Sequence, residues 1–528
     1  MKRRFIYLTA GVIMAAGMCF PAASFAAPTY YEDPSAPYGN GSDSTQYEYY
    51  DENGQVIDDD DEIEGPEPMA VYPDTSWFDY TNPKKEYKIY NEAQLFGLAS
   101  LVNEQQVMWK DNRFETFEGV TFTLMNDIRL SQDWVPIGAD EHITFKGTFD
   151  GKGHTISGLN VDITGDYGGL FGYLSGTVKN LTIKGKVKAT GGMCGGITGY
   201  LAENGKIIRC VSEANVRAHA QTGGIAGYNR AGTIWNCTNK GDVTGSIKVG
   251  GIAGENWSKI VNSFNSGNVI STQRGINTFG TGGVAGRSVS AASKIDRCFN
   301  KGRIESKTEG TGGIVGYTNT KGAVISNCYN VGYISVNNPK SISGLGEAKG
   351  YAGGIAGIVG AKGVKITNCY TTGTIRNSDV TGGVIGKYDN ISKTKDDPYI
   401  TNNYFTTENS KYGIGEDSSG KSRNITRGTT VTSTGSLISG SVNLGPYYMT
   451  DSSGAYGNMS LPVLTWQKPL SDDEIVYMSS VPVEVQQDLN EYMLQQNKKS
   501  QPGDTIMMYF NHYEFTSRAV GEYNNHAK

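Results

Sequence analysis

Five histidines, at positions 142, 154, 219, 512 and 526, are the side chains best suited to hold zinc or move protons. None stands at a metal-ligand spacing: HxH, HExxH and paired Cys/His clusters are missing, as are a GxSxG turn and a GxxxxGK[ST] phosphate loop. The stretch FDGKGH carries Asp150 and His154, a carboxylate and an imidazole suited to acid–base work on a glycosidic bond. A plainer reading is structural, with Asp150-Gly151 and Lys152-Gly153 forming a tight turn between two strands. Cys194, in GGMCGG, has no cationic neighbour in sequence to activate its thiol. The sequence is therefore expected to carry no catalytic residue, no metal site and no cofactor.

Tyr173, Tyr200, Tyr228 and Tyr317 are better candidates, for binding rather than chemistry. Each follows the last glycine of a motif, GG-aliphatic-x-G, that recurs at Gly168, Gly195, Gly223, Gly250, Gly282, Gly312, Gly353 and Gly382. The spacings are 27, 28, 27, 32, 30, 41 and 29 residues. A near-fixed period in this range marks a stacked array, in which equivalent residues of successive repeats lie above one another. The four tyrosines would then form one column able to contact a sugar or a protein. Each period holds three short β-like runs, such as GGIAGY, TIWNCTN and GDVTG, bounded by Gly and Asn. Connections too short for helices make each period one coil of a parallel β-helix, and longer insertions such as Asn337–Gly350 bulge from a corner.

A second column contains cysteine. Cys210, Cys237, Cys298, Cys328 and Cys369 each lie three residues after an aliphatic, with Leu181 and Ser263 in the same place in other copies. Coils stack about 4.8 Å apart. Parallel Cβ vectors at that spacing hold the Cβ atoms beyond the ~3.8 Å a disulfide prefers, so packed free thiols are expected. The asparagines beside them, Asn236, Asn327 and Asn368 before the column and Asn300 and Asn330 after it, predict amide ladders at the corners.

The ends of the array differ from its middle. YNEAQLFGLASLVNE has Asn91 and Gln94 at capping-box spacing and a stripe of Leu95, Leu98, Leu101 and Val102, predicting a helix that closes the first coil. The block EAQL, NDIRL, WVPIG and GTFDGKGHTISGL, followed by GGLFGY and the NCYNxG-type repeats, resembles the GLUG-motif family of bacterial exported proteins. LPVLTWQ at Leu461–Gln467 resembles that family's final strand. The resemblance, from about residue 87 to 467, implies an all-β fold: a right-handed parallel β-helix of roughly ten coils, with a helical N-terminal cap and a small C-terminal cap. Some relatives carry an immunoglobulin A metallopeptidase domain, whose HExxH motif is absent here.

Composition supplies the rest. Residues 1–26, with Lys2, Arg3 and Arg4 before an apolar run and a small-residue site ending at Ala26, read as a secretory signal peptide. Residues 27–84 read as an acidic, disordered tether, because Pro28–Ala70 holds thirteen acidic residues and no Lys or Arg. Residues 85–467 are the β-helix: a cap at 91–104, repeats over about 165–405 and terminal coils to 467. Residues 468–528 are a C-terminal cap or a docking tail for a partner, with a helical stripe of Val481, Val485, Leu489 and Met493. The absence of a basic stripe argues against nucleic acid, and no later apolar run is long enough for a membrane span. The expected role is a non-catalytic adhesin or scaffold at a bacterial surface, binding protein or glycan. The competing classes are a polysaccharide lyase or hydrolase and a non-catalytic subunit of a surface assembly.

Overall fold

The computed structural model describes residues 70–467 apart from breaks at 80–81, 105–116, 273–274, 338–348, 390–396, 409, 426–427, 452–453 and 455–459. It also gives backbone strands at Tyr49–Tyr50, Val56–Ile57, Thr505–Phe510, Tyr513–Arg518 and Glu522–Ala527. The chain divides into Met1–Glu67, holding one short antiparallel strand pair, and Pro68–Lys528. The second unit is a parallel β-solenoid of about ten turns. The expected signal peptide, the tail stripe at 481–493 and the insertion at 338–348 lie outside the described residues.

One coil shows how the repeat folds. It runs through strands Ala226–Asn229, Thr233–Trp235, Thr238–Asn239, Val243–Gly245 and Ile247–Gly250, five short strands where three were expected. The motif GGIAG is not one strand: its first Gly ends one sheet and its Ala begins the next. Copies pair in parallel and in register, so identical side chains stack. Residues 180, 209, 236, 262, 297, 327, 368 and 402 make one sharp corner, all in the left-handed region at φ between 50° and 56°. Six of these are Asn, which tolerates that conformation, and two are Arg.

Amide ladders are present, but the one through Asn300 and Asn330, expected at a corner, runs inside the coil, where both side chains are buried. Inside the coil, Asn239 donates to Asn265 at 2.8 Å, Asn265 to Asn300 at 2.9 Å and Asn300 to Asn330 at 2.9 Å. At the corner, Asn368 donates to Asn327 at 3.1 Å and Asn402 to Asn368 at 2.8 Å. The cysteine column is fully buried in the main core and its thiols are free. Each takes a backbone carbonyl two residues earlier as acceptor, as Cys328 does with Ser326 at 3.0 Å. Asn403 ends the column, accepting from the Cys369 backbone at 3.1 Å.

At the N-terminal end, the helix Glu92–Asn103 buries Leu95, Leu98 and Val102 in the same core. Asn91 accepts from the Gln94 backbone at 3.0 Å, and the Gln94 side chain accepts from Tyr90 at 2.8 Å, so the capping box is made one residue early. Two expected boundaries shift. The tether does not extend to residue 84, because Phe78 is buried and Trp77 packs edge-on against Tyr87 and Phe122. Nor do coils continue to 467. After the strand Thr429–Thr432 and the short helix Thr434–Ile438, the chain turns back as an antiparallel strap, pairing Tyr448–Met449 with Val463–Leu464.

That strap lies on an aromatic stack outside the core. Phe264, Phe299, Tyr329 and Tyr370 are parallel rings with centroids 4.5, 4.6 and 5.0 Å apart. Leu437, Leu444, Leu461, Leu464 and the half-buried Trp466 cover them. Polar ties fix the register: Trp466 Nε1 donates to the Arg297 carbonyl at 3.0 Å, and the Tyr329 hydroxyl to Gln467 at 3.1 Å. The covering is the reason the segment leaves the coil: an aromatic flank needs apolar surface more than the last coil needs another rung.

Candidate functional site

The glycine motif creates a concave bend between two sheets. A Cβ on Gly227 would lie 2.2 Å from the Cys194 nitrogen, and one on Gly254 would lie 2.3 Å from the Thr222 nitrogen, so only glycine lets the sheets meet so closely. Two outward columns face each other across this bend. One passes through Tyr173, Tyr200, Tyr228, Glu255, Arg287, Tyr317, Ile358, Lys387 and Glu416, aligned rung by rung. The other passes through Met193, Gln221, Lys248, Gly280, Gly310, Tyr351 and Val380, one residue offset from the registered pairs of the early rungs. Together they make a groove along the solenoid.

The structure unites three of the four candidate tyrosines. Tyr173 and Tyr200 stack at 4.4 Å with 10° between planes, and Tyr200 meets Tyr228 edge-on at 5.2 Å. Tyr167 closes the end of the row, edge-on to both Tyr173 and Tyr200. Burial is the main reason the Tyr173 and Tyr228 hydroxyls stay protonated well beyond their usual range. Tyr317 shares the column but stands apart, because Glu255 and Arg287 occupy the two intervening rungs. Tyr173 and Tyr200 cover one another's faces while Tyr200 meets Tyr228 nearly at right angles, so the row is not a flat platform for sugar stacking.

The middle of the groove holds a charged cluster that the tyrosine pattern did not point to. Glu255 is nearly buried and takes a donor on every side: Lys248 at 2.7 Å, Trp257 Nε1 at 3.0 Å, Gln221 at 3.2 Å and Arg287 at 3.2 Å. Burial alone would raise its carboxyl, but the bonds from Lys248 and Trp257 outweigh it and hold the group below the usual range. The backbone beside it is unusual, since Tyr167, Met193, Gln221 and Lys248 all have positive φ, between 39° and 68°. The signal was in the sequence. Where four repeats read GGxxGY, two read GGIAGE and GGVAGR.

The residues weighed for catalysis are not brought together. His154 pairs with Asp127 at 3.1 Å, while Asp150 takes Asn180 at 2.9 Å and Lys179 at 3.5 Å, and holds the Lys152 backbone at 3.0 Å as a turn residue. Cys194 is buried in the core, its thiol pushed up to about 12 mainly by that burial. Among the described residues no three His, Cys, Asp or Glu side chains are grouped to hold a metal ion. No helix among them is long and apolar enough to cross a membrane.

The fold and the groove define a parallel β-helix built from a glycine-bend repeat. Residues 218–244 match the GLUG motif, so one copy of the repeat carries that signature outright. Among solved structures, the chain is similar to a "putative immunoglobulin A1 protease" from Bacteroides ovatus, at 21% identity over 72% of this chain and 93% of that one, with a TM-score of 0.40. No curated protein matches the sequence.

Proposed function

We propose that this protein is an exported, non-catalytic bacterial surface protein, an adhesin or scaffold whose rigid solenoid presents its groove to a protein or glycan partner. The observation that supports the reading is the fate of the groove's polar groups. An acid–base enzyme keeps a carboxylate free or pairs it with a second one at a set separation. Here Glu255 is saturated by four donors, and at the far end Glu416 is engaged by Lys349 at 3.1 Å. These rungs are built to hold shape. Localisation follows from the sequence of residues 1–26 and from the resemblance to exported proteins. The C-terminal segment beyond 467 is a further docking element in this reading.

The test is turnover and retention measured together. Full-length protein is incubated with uronate polymers, host glycans and bacterial cell wall, with and without calcium, and new reducing ends are scored. Retention on a polymer or on cells without product supports a binding rod. Product from any polymer overturns the reading in favour of a polysaccharide lyase or hydrolase.

A further inference from the structure

The solenoid closes much of its last coil with its own chain. The groove sheet ends at Ile414–Asp417, and the returning chain pairs Arg423 with Ile414 as an antiparallel bridge over that edge. In the neighbouring sheet, the last strand, Val380–Gly382, is met by the Ser410 hydroxyl, which donates to the Thr381 carbonyl at 3.1 Å. The flank sheet is different. Its last strand, Thr429–Thr432, pairs in parallel with Asn403–Thr406 on one side and, among the described residues, has no strand on the other. Such an edge presents unpaired N–H and C=O groups, and proteins cover or blunt it.

Apolar surface gathers at the same end. Among the described residues no large hydrophobic between Val135 and Tyr412 is exposed, whereas Tyr412, Val431 and Ile438 are, at 37%, 40% and 38%. Val431 belongs to the open-edged strand itself, and it lines an open cavity of about 470 Å³ with Thr406, Thr432, Ser433 and Ser436. A strand laid along this edge would gain main-chain bonds, cover Val431 and have room for a side chain in that cavity.

The chain holds a strand suited to the place. Thr505–Phe510, Tyr513–Arg518 and Glu522–Ala527 form an antiparallel sheet with two outer strands. One outer strand, TIMMYF, has no charged residue, while the other, EYNNHA, has Glu522 and His526. Charged side chains mark edges left in water, so Thr505–Phe510 is the strand to be covered. Reach is no obstacle. Gln467 is tied to Tyr329, and Tyr329, Tyr370, Tyr404 and Thr430 stand on successive rungs, which puts the open edge about 14 Å away along the rod. Residues 468–504 would span on the order of 120 Å fully extended. Going beyond the binding-rod reading and independent of it, we infer that Thr505–Phe510 of the same chain adds to the free edge of Thr429–Thr432, closing the solenoid and leaving the polar strand Glu522–Ala527 outermost. A tethered segment meets this edge at a far higher effective concentration than a second copy does, so the chain's own tail is the occupant.

Hydrogen exchange of the full chain tests the contact from both sides. Segments 429–432 and 505–510 both exchange slowly, at rates that do not change on dilution. Met508→Pro removes an amide donor and breaks the tail strand. It speeds exchange in 429–432 by roughly tenfold or more and leaves 326–330, within the stack, unchanged. Val431→Pro, on the rod, does the converse and exposes 505–510, with 326–330 again unchanged. A tail sheet that folds by itself gives no such cross effect, so variants that leave the opposite segment's exchange unaltered overturn the inference. Free exchange of 429–432 in the unaltered chain also overturns it. Protection that is lost on dilution, together with a dimer by light scattering, overturns the intramolecular contact in favour of a strand exchanged between two copies.

Discussion

Phe299 on the flank and Tyr200 in the groove each sit ring to ring with the copies above and below, yet Phe299 is 1% exposed and Tyr200 only half-buried. The stacking has one cause in both places: parallel register puts equivalent side chains at the rung spacing, where offset rings attract. The outcome differs because the chain beyond the last coil returns over the flank. Trp466, Leu464 and Leu461 turn that ladder into a second core, with Tyr370 tied to the Pro462 carbonyl and Tyr448 to the Asn368 carbonyl. In the groove the tyrosines keep a solvent edge. A repeat therefore generates aromatic ladders freely, and it is the cover, not the ladder, that decides between stability and recognition.

The sharpest way to break this contrast is to truncate one ring in each ladder. Phe299→Ala removes a fully buried ring packed between Phe264, Tyr329 and Trp466, and is expected to cost about 3–5 kcal/mol. Equilibrium urea unfolding of the full chain checks it. Asn300→Ala comes next. It takes away one of the two acceptors of the Asn265 amide, which keeps only the Gly267 carbonyl, and leaves the Gly302 carbonyl without the Asn300 donor, for about 1–3 kcal/mol. Tyr200→Ala ranks below both, at roughly 1 kcal/mol, because its site is half-open and a lost pair is most of the cost. A Tyr200 variant as unstable as the Phe299 one would show that the groove row is core after all.

Much of this architecture is legible in the order of residues alone. The period, the buried cysteine column, the asparagine corner and the capping helix all follow from residues that recur at fixed offsets, because a solenoid maps sequence period directly onto space. Strand number is not legible. GGIAGY reads as one apolar run, and only the bend at its glycines divides it between two sheets. The strap is hidden for a different reason: Leu461–Gln467 looks like one more strand, and its antiparallel return depends on a surface assembled from Phe264 to Tyr370, far away in the chain. The four tyrosines do share one column, but a one-letter pattern shows what recurs and passes over Glu255 and Arg287, where the same position changes chemistry.

The two ladders also end differently, and acid should tell them apart. The groove sheet stops at Ile414–Asp417, where the chain reverses through a turn whose centre is Asp417. Burial alone would raise this carboxyl. Hydrogen bonds from the Ser419 hydroxyl and from the backbone of Lys421 and Ser419, together with the Arg423 guanidinium, instead hold it at about 2, below the ordinary 3.8. A carboxyl depressed in the folded state stabilises the fold fully above its unfolded value, and that contribution is lost as pH falls through the folded one. Melting temperature should therefore drop as pH is lowered from 3.8 towards about 2, and Asp417→Asn should flatten that limb by bringing the neutral-pH value down towards the acid one, with little change at the acid end. Phe299→Ala, with no titrating group lost, should lower the curve at every pH by a similar amount. If the two variants instead give parallel curves, the groove end is not held by this ionised turn, and the distinction between a polar-capped groove and an apolar-strapped flank fails at its most exposed point.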